Sequence, residues 1–284
     1  MKFNDIHIRD PFILPENGKY YLYGSRGPEA WGKCTGLDVY VSNDLENWSE
    51  PTEVFTPPAD FWADMNYWAP EVHKYNGKYY MLVSFKSEEE NRGTQILISE
   101  SPLGPFILHS DGPVTPREWE CLDGTLYIEN GKPYMIFCHE WVQMSDGNGE
   151  MCVIELSDDL KRAVSEPVLL FKGADPYWAR KDAPEYVTDG PFMYRTAEGK
   201  LLMMWSSFNE NGYIEAIADS DNGSVFGKWN HDNEFLFSSD GGHGMIFKSF
   251  DGELYFICHS PNDNPAERPV LKRIKEENGT LTTI

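Results

Sequence analysis

Apolar residues along this chain fall into short runs in which hydrophobic and polar positions alternate, and Gly, Asn and Asp turns separate the runs. Ile8-Arg9-Asp10-Pro11-Phe12-Ile13 is followed by Asn17-Gly18 and then Lys19-Tyr20-Tyr21-Leu22-Tyr23. Alternation with period two, rich in Tyr, Phe, Val and Ile, reads as strand, and Asn-Gly between two such runs reads as a hairpin. Four later stretches copy the plan. They are Ala69-Pro70-Glu71-Val72 with Asn76-Gly77, Leu122-Asp123-Gly124-Thr125 with Asn130-Gly131, Thr188-Asp189-Gly190-Pro191 with Glu198-Gly199, and Gly242-His243-Gly244-Met245 with Asp251-Gly252.

Each unit continues into two more strand-like runs. These are 37–42 and 52–55, 95–99 and 106–108, 151–156 and 167–171, 213–218 and 235–237, and 270–274 and 280–284. A 3.6-residue period is nowhere convincing, so helix is nearly absent from this reading. Repeats of this length, each unable to bury its own core, stack radially, and four strands per repeat make a propeller blade. The sequence therefore predicts an all-β, five-bladed β-propeller with four antiparallel strands per blade, as one domain over residues 1–284. The predicted blade heads are Asp10, Pro70, Asp123, Asp189 and His243, converging on one face. The ends of the second strands border the same face: Gly24-Ser25, Phe85-Lys86, His139-Glu140-Trp141, Ser206-Ser207-Phe208 and His259-Ser260.

Charge narrows the partners. A formal net charge of −22 argues against nucleic acid and anionic membrane surfaces, which need a basic face. Aromatic residues make up 14% of the chain, which serves both strand packing and a sugar-stacking surface. The five cysteines are scattered, without a CxxC, and read as buried reduced thiols. With no signal-peptide pattern before the first strand and no apolar run of membrane length, the chain reads as cytoplasmic. No Ser/His/Asp triad, P-loop or dinucleotide fingerprint is present, so no cofactor is required.

Three of the five heads are Asp. Carboxylates confined to one concave site push their pKa values apart, which yields one acid and one base at neutral pH. Glycoside hydrolysis needs that pair. Turn chemistry accounts for any one Asp before Pro or Gly, but poorly for three at equivalent repeat positions.

With these motifs in this order, nearly the whole chain resembles glycoside hydrolase family 43, a group of five-bladed propellers that includes xylosidases, arabinofuranosidases and arabinanases. Arg9-Asp10-Pro11-Phe12 looks like the first-blade motif that carries the general base. Trp68-Ala69-Pro70-Glu71 is similar to the second-blade motif whose Trp lies by the sugar. Leu122-Asp123-Gly124 resembles the third-blade motif whose Asp tunes the acid. Gly242-His243-Gly244 resembles the fifth-blade motif whose His sits on the axis near a calcium or a water, and Arg268 resembles a last-blade Arg that reaches substrate. The resemblance implies an inverting hydrolase of pentosyl (xylosyl or arabinofuranosyl) linkages in plant-type oligosaccharides. Asp10 is then the base, Asp123 the pKa modulator and Asp189 the acid.

One departure stands out. The family's fourth blade usually reads Glu-Gly-Pro, and here it is Asp189-Gly190-Pro191, one methylene shorter. Glu140 is the main rival for the acid role, and Glu185 is a weaker one. Glu120 is another, because Trp119-Glu120-Cys121 resembles the acid motif of related fructosidases, where Asp10 would be a nucleophile and the reaction retaining. A propeller that binds glycans without cleaving them is the third reading. Trp68 is the leading stacking residue, ahead of Trp31, Trp62, Trp141 and Trp178. His139 and His259 are expected to contact substrate hydroxyls. His243 is either a metal ligand, with calcium near the axis, or a polar plug of the channel.

Overall fold

The computed structural model describes residues 1–231 and 234–284, and among these it forms five four-stranded antiparallel sheets around one axis. It is a five-bladed β-propeller, with helix among the described residues limited to three single 3-10 turns. Blade one holds β1 (Ile8–Glu16), β2 (Lys19–Arg26), β3 (Leu37–Ser42) and β4 (Thr52–Phe55). Blade two holds β5 (Met65–Tyr75), β6 (Lys78–Lys86), β7 (Gly93–Ser99) and β8 (Ile107–Pro113). Blade three is built from β9 (Cys121–Glu129), β10 (Lys132–His139), β11 (Glu150–Glu155) and β12 (Val168–Lys172). Blade four has β13 (Asp189–Arg195), β14 (Leu201–Asn209), β15 (Gly212–Ser220) and β16 (Trp229–Asn230). Blade five has β17 (Gly242–Lys248), β18 (Leu254–Ser260), β19 (Arg268–Glu277) and β20 (Thr280–Thr283). In every blade the strands pair in chain order, so each blade is a contiguous piece of sequence.

The Asn-Gly signals are two-residue hairpins. Asn17 and Gly18 (φ 50° and 76°), Asn76 and Gly77 (47° and 81°) and Asn130 and Gly131 (53° and 80°) all take the left-handed conformation that a type I′ turn demands. That turn fixes the register Glu16↔Lys19, Tyr75↔Lys78 and Glu129↔Lys132, and with it which side chains face the neighbouring blade. The apolar positions then meet between blades. Leu82 and Ile96 of blade two pack with Met135, Phe137 and Ile154 of blade three. Ile136 and Met151 pack with Met203 and Trp205 of blade four. Met204 and Ile217 meet Phe256 and Cys258 of blade five. Met245, Phe247 and Ile257 close the ring against Ile13 and Leu22 of blade one. All five cysteines are free thiols, four of them buried.

Two details correct the sequence reading. Blade four ends in Trp229–Asn230, whereas residues 235–237 contribute only an isolated bridge, Phe237 to Glu215. The heads also shift by one residue in two blades. Every inner strand carries a register break near its start with a residue of positive φ in it: Asp10 (52°), Ala69 (48°), Asp123 (58°), Gly190 (47°) and His243 (51°), and blade two has a second break at Asn66 (51°). The equivalent positions are therefore Ala69, not Pro70, and Gly190, not Asp189. Asp189 stands one step before, level with Arg9, Trp68, Leu122 and Gly242. Aligning on Pro11, Pro70 and Pro191 would have given this frame from the sequence.

Candidate active site

Left-handed conformation costs a non-glycine residue on the order of 1 kcal/mol, so something must hold it. The holding group is a side chain on the second strand of the preceding blade. The Asp10 N–H donates to His259 Nδ1 (3.3 Å), that of Ala69 to Ser25 Oγ (2.9 Å), that of Asp123 to Ser84 Oγ (2.8 Å) and that of His243 to Ser206 Oγ (2.7 Å). Blade three carries Cys138 at the equivalent place, and the Gly190 N–H instead donates to Asp123 Oδ2 (3.1 Å). The cysteine, a poor acceptor, thereby leaves an amide that ties Asp123 to the strand bearing Asp189. At the bulge, blades one and three present two consecutive side chains to the cavity, and blades two, four and five present one each.

These side chains line a small cavity of about 110 Å³ on one face: Arg9, Asp10, Trp68, Leu122, Asp123, Asp189 and His243, with Trp31, Glu140 and Trp141 from loops. A wider cavity of about 460 Å³ adjoins it, sharing Arg9, Trp31, Trp141 and Asp189 and adding Phe208, Tyr213 and Asn262. One enclosed position opening into a broader one suits a single sugar ring with the rest of a chain beside it.

The three carboxyls are differently charged. Burial pushes Asp10 up, but His243, Arg9 and His259 nearby and the Ser25 hydroxyl (2.5 Å) outweigh it, so its pKa lies below the ordinary value. Burial drives Asp189 well above the ordinary range, and the adjacent Asp123 adds to this by its charge and by accepting a hydrogen bond from the Asp189 carboxyl. Tyr213 donates its hydroxyl to Asp189 Oδ2 at 2.5 Å. Asp123 is raised to about 6, chiefly by burial, with Asp10 contributing and the Asp189 and Gly190 hydrogen bonds opposing. At neutral pH the shared proton of this coupled pair belongs on Asp189. His243 Nδ1 stands among all three, 3.3 Å from Asp10, 3.7 Å from Asp123 and 3.8 Å from Asp189.

That crowding bears on the expected calcium. Ligand atoms of Asp123, Asp189 and His243 lie within 4.8 Å of one another. Calcium takes six to eight oxygens, and here two carboxylates already serve Gly190 and Tyr213 while an imidazole nitrogen fills the middle. These three side chains alone supply fewer oxygens than calcium takes. His243 is a polar bridge among the carboxyls.

Several expected contacts lie elsewhere. His259 is fully buried behind Asp10, and its pKa is lowered to about 3, first by burial and then by Arg9. It is the neutral tautomer, accepting from Asp10 N–H at Nδ1 and donating from Nε2 to Asn262 Oδ1 (3.2 Å). His139 stacks on Trp119 (4.2 Å between centroids), with Nε2 against Gln143 (2.9 Å). Arg268 donates to the backbone oxygens of Pro265 and Glu267. None of the three lines either cavity. Trp62 donates to Gln95 (2.7 Å) and Trp178 packs on Trp205 and Phe235, so both build structure. Of the second-strand ends, Glu140, Trp141 and Phe208 reach a cavity, whereas Ser25, Ser206 and His259 bracket heads and Phe85 is core.

The rival acids are also placed. Glu140 lines the cavity but forms a buried ion pair with Arg92, whose guanidinium lies 3.9 Å from the Trp68 ring centroid. Burial outweighs Arg92 and raises the Glu140 pKa, so what sets Glu140 apart from Asp189 is its ion pair with a guanidinium. Glu120 lies outside the cavity, held by Lys86 (2.5 Å) and the Arg92 N–H (2.8 Å), which overcome burial and lower its pKa. Glu185 is exposed, beside Arg180 and Tyr186. Arg92 and Tyr213 were not legible in the sequence; their partners lie 48 and 24 residues away, and neither sits in a motif.

Asp123→Asn provides a test of the coupling. Removing its charge takes away a force that holds the Asp189 proton, so that proton leaves at lower pH. The alkaline limb of the pH–rate profile should move down by about one unit or more. An unmoved limb would mean that Asp123 does not tune Asp189.

The comparisons fit this picture. The family model for glycosyl hydrolases family 43 matches residues 5–281. The solved endo-arabinase from Bacteroides thetaiotaomicron VPI-5482 superimposes with a TM-score of 0.89 at 38% identity, covering 99% of this chain and 98% of that one. A thermostable family-43 glycoside hydrolase superimposes with a TM-score of 0.85 at 26% identity, covering 100% and 96%. Among curated proteins, the extracellular endo-α-(1→5)-L-arabinanase 1 of Bacillus subtilis is 27% identical over 145 residues, 47% of this chain and 44% of that protein. The match thus spans less than half the length of that curated relative. No helix among the described residues is long and apolar enough to cross a membrane.

Proposed function

The chain belongs to glycosyl hydrolases family 43, and from that membership we propose that it hydrolyses xylosyl or arabinofuranosyl linkages of plant-type oligosaccharides with inversion at the anomeric carbon. Asp10 is the general base, Asp189 the general acid, and Asp123 keeps the acid protonated. The observation that carries this reading is the split between carboxyls of one small cavity: Asp10 is ionised, and Asp189 holds its proton beside Asp123.

The sugar ring occupies the small cavity, and the leaving group extends into the wider one past Asp189. Asp189 protonates the departing oxygen. Asp10 takes a proton from the water that attacks the opposite face, and bond formation and cleavage balance with one proton given and one received. Trp68 supplies an aromatic face, set by its indole N–H to the Ala30 carbonyl and by Arg92 beneath it. The arabinan-directed name of the neighbour aligned along its whole length favours arabinofuranosyl linkages. The retaining alternative loses support from Glu120, which lies outside the cavity and is held ionised.

A panel of nitrophenyl glycosides tests the reading. Turnover of the arabinofuranoside or xyloside, with an inverted first product by NMR, is the expected result. Turnover of fructosyl donors with retention would transfer the acid role to Glu120, and binding without turnover of any glycan would remove the enzyme reading.

A further inference from the structure

Four of the five joints between blades are crossed by the chain itself. The joint between blade five and blade one is not, because each blade is contiguous in sequence. What bridges it on the cavity face is a polar cluster centred on Arg9. Arg9 Nη1 donates to Glu267 Oε1 at 2.7 Å and Nη2 to Asn262 Oδ1 at 2.9 Å, while Nε lies 4.0 Å from Asp10 Oδ1. The same Asn262 oxygen accepts from His259 Nε2, whose other nitrogen holds the Asp10 amide. Glu267 is fully buried, an expensive place for a carboxylate unless a cation is fixed to it. We infer that Arg9, clamped by Glu267 and Asn262 of the last blade, is a positioning residue for the Asp10 carboxylate, so that the seam of the ring and the general base are set by one side chain.

The geometry favours positioning over anion binding. Both ends of the guanidinium fork are taken by groups of blade five, and its charge is matched by Glu267 on one side and Asp10 on the other. The groups facing Asp10 are Ser25 from β2, His243 from β17, His259 from β18 and Arg9 from its own strand, with Asp123 and Tyr213 near it and Asp189 across His243 Nδ1. Arg9 supplies a permanent positive charge there, whereas burial keeps His259 neutral. Lys at this place would keep a charge but could not hold Glu267 and Asn262 together in one plane.

The inference rests on Asp10 being the base, so Asp10→Ala is measured alongside. The experiment is the pH dependence of kcat and kcat/KM on a nitrophenyl pentoside for wild type, Arg9→Gln, Arg9→Lys and Asn262→Ala. Arg9→Gln should move the acid limb up by about one pH unit, since a depressed carboxylate pKa rises when its cation leaves. It should also cut kcat by roughly tenfold to a hundredfold through a misplaced base. Arg9→Lys should share the loss in kcat with a smaller shift of the limb. Asn262→Ala, on a partly exposed loop, should lower kcat in the same direction and decides the matter if the Arg9 variants fail to fold. An unchanged acid limb and kcat with only KM raised would make Arg9 a substrate contact and overturn the inference. Loss of Tm alone, or an Asn262→Ala enzyme with wild-type kcat, would reduce the cluster to ring closure. If Asp10→Ala remained active, the assignment of the base would fail instead.

Discussion

Asp10→Ala is expected to lose activity on every glycoside, whatever its leaving group, by roughly a hundredfold to ten-thousandfold. The carboxylate is the one of the three whose pKa lies below the ordinary value, held there by His243, Arg9 and His259 and by the Ser25 hydroxyl at 2.5 Å, which together outweigh its burial. Without it, no ionised group of the cavity is positioned to take the proton of the attacking water. Azide needs no deprotonation and is small enough for the space that the side chain vacates, so it should restore turnover and give a glycosyl azide of inverted configuration. A nucleophile at Asp10 would leave the same azide product. The wild-type enzyme separates the two, since a base gives an inverted first product and a nucleophile a retained one. An Asp10→Ala enzyme that kept its activity would remove Asp10 from the chemistry altogether.

The propeller was legible because local signals repeat. Asn17-Gly18, Asn76-Gly77 and Asn130-Gly131 specify turns with both central residues left-handed, and such turns leave one register for the flanking runs. The last strand of blade four was not legible. Residues 235–237 are as apolar as any strand, yet Trp229–Asn230 makes the pairing, because edge pairing depends on which backbone lies alongside Ser220. The heads were legible only to within one residue. Asp before Gly looks the same at 123 and 189, and only the site of the bulge tells that Asp123 is the left-handed residue and Asp189 its predecessor. That offset changes the chemistry. It places the Gly190 amide, not the Asp189 amide, against Asp123, and leaves the Asp189 carboxyl facing Tyr213.

The histidines show the opposite limit. His259 and Ser25 occupy the same step of their strands, and a sequence reader sees one as chemistry and the other as filler. Both do the same work of accepting a head amide from the next blade. Long-range partners such as Arg92 with Glu140 are invisible to spacing: Glu140 stands out at a strand end, but only the fold brings Arg92 to it.

The fourth-blade Asp and Glu140 should part company when the leaving group is varied. A general acid matters only when the departing oxygen needs a proton. Asp189→Ala should therefore cost roughly a hundredfold to ten-thousandfold on a natural alkyl glycoside and little on a dinitrophenyl glycoside, whose leaving group departs as the anion. The shorter Asp side chain is compatible with this role because Tyr213 at 2.5 Å and the Asp123 carboxyl hold it from two sides, so its position is fixed without the reach of Glu. Glu140→Ala should behave differently. It leaves Arg92 buried without its partner, beneath Trp68 and within reach of the Asn66 side chain (3.4 Å). Removing one member of such a pair typically costs about 3–5 kcal/mol. The damage should appear as a lower Tm and weaker binding, equal for both leaving groups. A leaving-group split in Glu140→Ala and none in Asp189→Ala would reverse the assignment. Arg92 would then be a cation that releases its carboxyl during turnover, and Asp189 the group that positions the ring.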